Sequence, residues 1–202
     1  MNKGKLFVFS GPSGTGKGTI VKELLKAEDS WFSVSCTTRA PREGEVEGVH
    51  YYFVTQEKYD EMVQQGGFLE HASIYGNSYG TPKAPALKAM EEGKDVILDI
   101  EMQGALQIKA SYPDAVLVFV LPPSLAELRN RIRGRGTETE EQIELRMATT
   151  VQEIEKLPEY KYFLINDDLE TAIEQARAII SAEHMRVEDT ISSVINRYKE
   201  EK

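Results

Sequence analysis

The chain has 202 residues, 33 of them acidic against 24 Lys and Arg, with one Cys and a formal charge of −9. That length suits one α/β body with small inserted segments and is short for two independent cores. The acidic balance excludes general nucleic-acid binding, which needs a basic face over the phosphates. The lone Cys36 cannot form an internal disulfide, which suits a reducing compartment and points to the cytoplasm.

In chain order, the apolar run "KLFVFS" (5–10) predicts a buried strand. It is too short for a signal-peptide core or a membrane span, so no membrane partner is expected. "GPSGTGKGT" (11–19) follows, with a helix expected from near Lys17. Gly11, Gly16 and Lys17 fit the phosphate-loop pattern G-x-x-x-x-G-K-[ST], but Gly18 stands where the Mg²⁺-touching hydroxyl belongs and Thr19 comes one residue late. Gly11, Gly14 and Gly16 can take backbone shapes closed to other residues, so successive N–H groups converge on an anion at the positive end of the helix. Lys17 adds a point charge. Gly11, Pro12, Ser13, Gly14, Thr15, Gly16, Lys17, Gly18 and Thr19 are therefore expected to bind nucleotide phosphate.

From Ser33 to Thr81 the pattern changes to Thr, Tyr, Gly and charge, with strand-like "FSVS", "HYYFV" and "FLEHASI" around one helix at 56–65. This predicts an inserted α+β lobe. Thr81-Pro82 offers a capping oxygen before a proline at the first position of the next helix, and Gly93 closes that helix. "DVILDI" (95–100), "AVLVFVL" (115–121) and "KYFLIN" (161–166) complete four buried strands alternating with helices, the mark of a doubly wound parallel sheet. Asp99 lies near the end of its strand, where an acid commonly holds Mg²⁺ or its water shell; a helix-capping acid is the other reading. Ser124 with Glu127, and Thr139 with Gln142, each fit a capping box. Ile143, Met147, Val151, Ile154 and Leu157 share one helix face before Pro158 and are read as core packing. The polar stretch "GRGTETEE" (134–141) predicts a mobile loop or lid, and the charged end "NRYKEEK" is expected to fray.

The GKGT loop, the inserted lobe and the Arg-rich lid together resemble the nucleoside monophosphate kinases, in which a phosphate loop lacking Ser after the Lys is familiar. Within that group "SVSCTTRAPREGEVEGVHYYFV", "GFLEHASIYGNSYGTP", "ILDIEMQGA", "RIRGRGTETEEQIELR" and "INDDL" resemble guanylate kinase, over residues 5 to about 182. The resemblance implies Mg²⁺-dependent transfer of the γ-phosphoryl group of ATP to GMP, giving ADP and GDP with no covalent intermediate. It also implies a P-loop core at 1–32, 82–133 and 147–202, a GMP-binding lobe at 33–81 and a lid at 134–146.

The residue roles follow from the same resemblance. Arg39, Arg42, Tyr51 and Tyr79 would clamp the phosphate of GMP, where guanidinium forks and phenols suit phosphate oxygens. Ser35, Glu70 and Thr81 would read guanine, with Asp99 also on the GMP side. Lys17, Arg131, Arg135 and Arg146 would act on the transferring phosphoryl group, Asn166 would lie near adenine, and Mg²⁺ would be held largely through water by Thr19 and Asp99. Gly18, Thr81 and Glu101 depart from the Ser, Ser and Asp frequent among relatives. Thr81 keeps its hydroxyl, whereas Glu101 has a longer arm. The expected partners are GMP and ATP, with monomer and homodimer both open. Two rivals stand beside this function: a non-catalytic guanylate-kinase-like interaction module, disfavoured by the presence of Lys17 and both arginine sets, and a kinase of another nucleoside monophosphate.

Overall fold

The computed structural model describes residues 3–74, 76–134, 136 and 139–200. The chain runs β1 (Leu6–Ser10), α1 (Lys17–Leu24), β2 (Ser30–Phe32), β3 (Cys36–Thr37), β4 (Tyr52–Phe53), α2 (Gln56–Gln64), β5 (Phe68–Ile74) and β6 (Asn77–Pro82). It continues through α3 (Lys83–Glu91), β7 (Asp95–Asp99), α4 (Met102–Ser111), β8 (Val116–Leu121) and α5 (Leu125–Gly134). After α6 (Glu140–Ile154) come β9 (Tyr162–Ile165), α7 (Leu169–His184) and α8 (Val187–Glu200). The α/β class and the parallel sheet agree with the sequence reading. The core sheet is five-stranded in the order β2-β7-β1-β8-β9, and every pairing is parallel.

The continuous apolar runs are explained by burial on both faces of this sheet. Phe7 and Phe9 of β1 point to one side, against Ile20, Val21 and Leu24 of α1 and Ala172, Ile173 and Ala176 of α7. Leu6 and Val8 point to the other, against Ala86 and Met90 of α3 and Ala105 and Ile108 of α4. Successive residues of a strand alternate between faces, so a strand covered on both sides is apolar along its middle, and its polar residues fall at the ends, as Ser10 and Asp95 do. The carboxyl ends of β1 and β7, with α1 and α4 starting just beyond them, form the rim on which the site is built.

A second sheet, of four strands in the order β4-β3-β6-β5, lies within residues 36–82. Several sequence expectations are corrected here. "FSVS" is not one strand of this lobe: Ser30–Phe32 is instead the edge of the core sheet, with Trp31 and Phe32 packing on opposite cores. Three half-buried residues give too little periodicity to read. "HYYFV" shortens to Tyr52–Phe53. Strand β6, "NSYGTP", was not expected because Asn, Gly and Pro disfavour strands. It is held by pairing with β5 from Ile74↔Asn77 to Phe68↔Pro82, and the Phe68 ring covers Gly80, where a Cβ would come within 2.8 Å.

Thr81 does not cap α3. It lies in β6, and the cap position is Pro82, without a side-chain hydrogen bond. Gly93 does close that helix, at φ +85°, with the Gly93 and Lys94 amides donating to Met90 and Ala89. Thr139 and Gln142 form a complete capping box. Ser124 forms half of one, because Glu127 turns its carboxylate forward to Arg131. The stripe on α6 divides: Ile143 and Met147 pack on Leu128 and Ile132, Val151 is 44% exposed, and Leu157 lies beyond the helix in a 3₁₀ turn. The polar loop narrows, since Gly134 ends α5 and Glu140 starts α6, with residues 135, 137 and 138 outside the described set. The charged end is helical through Glu200.

Candidate active site

The phosphate loop joins β1 to α1, and its backbone explains its glycines. Gly11 has φ +136° and a Cβ there would come within 2.4 Å of the Val120 carbonyl oxygen, so no other residue fits. Gly16, at φ +87°, is the N-cap of α1. The Thr15 hydroxyl donates to the Pro12 carbonyl at 3.0 Å and locks the loop internally. The Lys17 Nζ folds back across the loop and donates to the Gly11 carbonyl at 2.7 Å. It also lies 3.9 Å from Asp99 Oδ1 at the end of β7. A Cβ on Gly18 would come 3.5 Å from the other Asp99 oxygen, so the space of the missing hydroxyl faces this carboxylate. Thr19, the next residue of α1, is exposed. Burial is the strongest influence on Asp99 and raises its pKa; Lys17 opposes that shift and Glu101 adds to it.

Asn166 is buried under the same loop, and its Nδ2 donates to the Thr15 carbonyl at 2.7 Å. Its own carbonyl accepts from Arg131 NH1 at 3.0 Å, while Arg131 Nε donates to Glu127. A chain of contacts therefore runs from Arg131 on α5 through Asn166, just past β9, to the phosphate loop. Arg146 is partly buried on α6, and Arg135 lies outside the described residues. Further along α6, Glu153 has a raised pKa, first from burial and then from Glu101, with Lys17 opposing. Sequence reasoning had read that stretch only as core packing.

Beside Asp99 a cavity of about 230 Å³ is lined by Ser35, Tyr51, Glu70, Tyr79, Asp99 and Gly104, among others. Five of these six were singled out from sequence. Glu70 is 6% exposed, and Thr81 stands behind it with its hydroxyl donating to Glu70 Oε1 at 2.6 Å. The Ser35 hydroxyl is 3.5 Å from that of Thr81. Burial raises the Glu70 pKa, and the hydrogen bonds from Thr81 oppose it. At the mouth, the Arg39 guanidinium sits 5.6 Å above the Tyr51 ring, which meets Tyr79 edge-on at 5.9 Å. A more open groove of about 630 Å³ between α5 and α6, lined by Leu125, Arg129, Met147 and Val151, holds none of these convergent polar groups.

Glu45 and Gly104 were missed from sequence. Arg39 NH2 donates to both Glu45 oxygens, at 2.8 and 3.0 Å, and the Arg42 amide donates to Glu45 Oε2 at 2.7 Å. The Arg39 hydrogen bond, followed by the Arg42 amide, holds the Glu45 carboxyl down at about 2. One carboxylate thereby fixes the guanidinium of one arginine and the backbone of the next. Only the R-x-x-R-x-x-E spacing in "RAPREGE" could have signalled it.

The chain is similar to known proteins over nearly its whole length. A sequence model of the family described as guanylate kinase matches residues 3–183. A guanylate kinase of Clostridioides difficile is 54% identical over 202 residues, covering 100% of this chain and 98% of the relative. One of Clostridium tetani is 50% identical over 195 residues, covering 96% and 94%. A crystal structure of guanylate kinase from Anaplasma phagocytophilum superposes with a TM-score of 0.78 at 31% identity, covering 96% of this chain and 94% of that one.

Proposed function

Because the chain belongs to the guanylate kinase family and so phosphorylates GMP with ATP, we propose that its two clusters divide that reaction into a donor side and an acceptor side. On the donor side, the backbone of residues 11–19 and the Lys17 ammonium hold the phosphates of ATP. On the acceptor side, Arg39, Arg42, Tyr51 and Tyr79 hold the phosphate of GMP, and Glu70 with Ser35 and Thr81 reads guanine. Arg131, Arg135 and Arg146 meet the transferring phosphoryl group, whose charge spreads over three oxygens and is stabilised mainly by placed cations. The same reading assigns 33–81 to a GMP lobe, 134–146 to a lid and the remainder to the core. It also assigns the protein to the cytoplasm, supported by the single Cys, which suits a reducing compartment.

The observation that carries this assignment is that Asp99 belongs to both halves. It lies 3.9 Å from Lys17 and also lines the cavity that holds Glu70 and the two tyrosines. Oxygen donors and a partly open carboxylate beside Gly18 suit Mg²⁺, a hard cation that keeps several waters, so Asp99 and Thr19 would hold it through water. Bound there, the ion would supply positive charge to the phosphate oxygens of ATP.

Asp99→Ala tests the assignment. Turnover should fall by about tenfold or more and the half-saturating Mg²⁺ concentration should rise, while GMP affinity measured without ATP or metal changes by less than about threefold. Normal turnover at limiting Mg²⁺ would reduce Asp99 to a structural acid. Glu45→Gln separates the acceptor clamp from the chemistry. With Arg39 and the Arg42 backbone released, the KM for GMP should rise by about five- to twentyfold with kcat within about threefold. A fall in kcat at unchanged KM would contradict a purely positioning role.

A further inference from the structure

Gly104 is the third residue of α4, buried where the first turn of that helix packs on β5. Its φ is not positive, so the backbone does not require glycine, and glycine is among the poorest residues for a helix. The reason for it lies across the contact. A Cβ on Gly104 would come 2.5 Å from Glu70 Oε2, 2.9 Å from Glu70 Cδ and 3.2 Å from Glu70 Cγ. The opposite carboxylate oxygen accepts the Thr81 hydroxyl at 2.6 Å. Glu70 is therefore seated between a hydroxyl on one side and a backbone with no side chain on the other. The volume that any other residue would fill at position 104 is occupied by the carboxylate itself.

We propose that Gly104 is a specificity-determining residue, which sets guanine selectivity by reserving the space in which the Glu70 carboxylate must lie. This rests on Glu70 as the guanine reader. A methyl group at position 104 meets the far end of a flexible side chain, which can rotate away, so the fold tolerates the change. The carboxylate then leaves both Thr81 and the edge of guanine that it would accept from. The cost of the methyl group falls on recognition, and it disappears once the side chain at position 70 is cut back to its β-carbon, because every atom the methyl group would meet lies beyond it.

The test is a double-mutant cycle of Gly104→Ala and Glu70→Ala, read as KM and kcat for GMP, KM for ATP, and GMP affinity without ATP. Gly104→Ala should raise the KM for GMP by about tenfold to a hundredfold, the loss of one charge-assisted hydrogen bond, with the KM for ATP within about twofold. In the Glu70→Ala background, where no atom remains for the methyl group to meet, the same alanine should change the KM for GMP by less than about twofold. Additive losses, or a wild-type KM for GMP in Gly104→Ala, would overturn the proposal. A wild-type KM in Glu70→Ala alone would instead overturn Glu70 as the guanine reader, and the inference with it. If Gly104→Ala does not fold, recovery of folded protein in the double variant supports the same contact, and failure of both variants to fold overturns it.

Discussion

Lys17→Met is expected to lower turnover of ATP with GMP by about 10²–10³-fold, the loss seen when one preorganised group is removed from a site of developing charge. The ammonium lies within the loop it serves, 2.7 Å from the Gly11 carbonyl, and 3.9 Å from the only acid that both halves of the site share among the described residues. Methionine keeps the length and packs in the same channel but carries no charge. Added Mg²⁺ should not restore the rate, because the ion and the ammonium would act on different oxygens. GMP affinity without ATP should stay within about threefold of wild type, since Lys17 does not line the cavity of Glu70 and Tyr51. Turnover within about tenfold of wild type would show that the loop backbone alone stabilises the phosphates. Parallel loss of GMP binding would mean that the variant disturbs the cavity of Glu70 and the two tyrosines as well as the donor side.

The phosphate loop was legible because its chemistry is local. Gly11, Gly16 and Lys17 sit at fixed spacing after a strand, and the backbone shapes they need follow from their own residue types. The strands of the core were legible for a related reason, since burial on both faces leaves an unbroken apolar run. What stayed hidden depends on partners distant in sequence. Ser30–Phe32 is a strand only because β7 lies beside it, and β6 holds its Asn, Gly and Pro only because β5 and β3 pair with it. Thr81 reads locally as a helix cap, yet its hydroxyl is drawn to Glu70. Asn166, expected near adenine on resemblance, also braces the Thr15 carbonyl beneath the loop through its amide nitrogen, a contact no local pattern announces. Glu45 looks like one acid among many in a charged turn until Arg39 and the Arg42 amide are seen on it. Gly104 looks like a helix defect until Glu70 is seen against it.

Glu70→Gln is expected to lower kcat/KM for GMP by at least about tenfold and to reduce the preference for GMP over AMP, which should reach about 10⁴ in the wild type. A carboxylate accepting from guanine N1–H and the exocyclic amine makes two charge-assisted bonds, each worth about 1.5–3 kcal/mol. Adenine offers a lone pair at N1 and no amine at that edge, so the buried carboxylate would face an acceptor without compensation. Glutamine keeps the shape that fits beside Gly104 and Thr81, but it has one acceptor oxygen and turns N–H donors towards the donors of guanine. The KM for ATP should change little, because that nucleotide sits on the phosphate loop. The pH profile gives an independent readout. Burial raises the Glu70 pKa above the ordinary carboxylate value, with Thr81 opposing. Protonation replaces an acceptor by a donor, so kcat/KM for GMP should fall as pH drops through that raised pKa, while Glu70→Gln should lack this acid limb. A variant that keeps GMP activity and selectivity within about threefold of wild type, a difference well under about 1 kcal/mol, would remove Glu70 from guanine recognition.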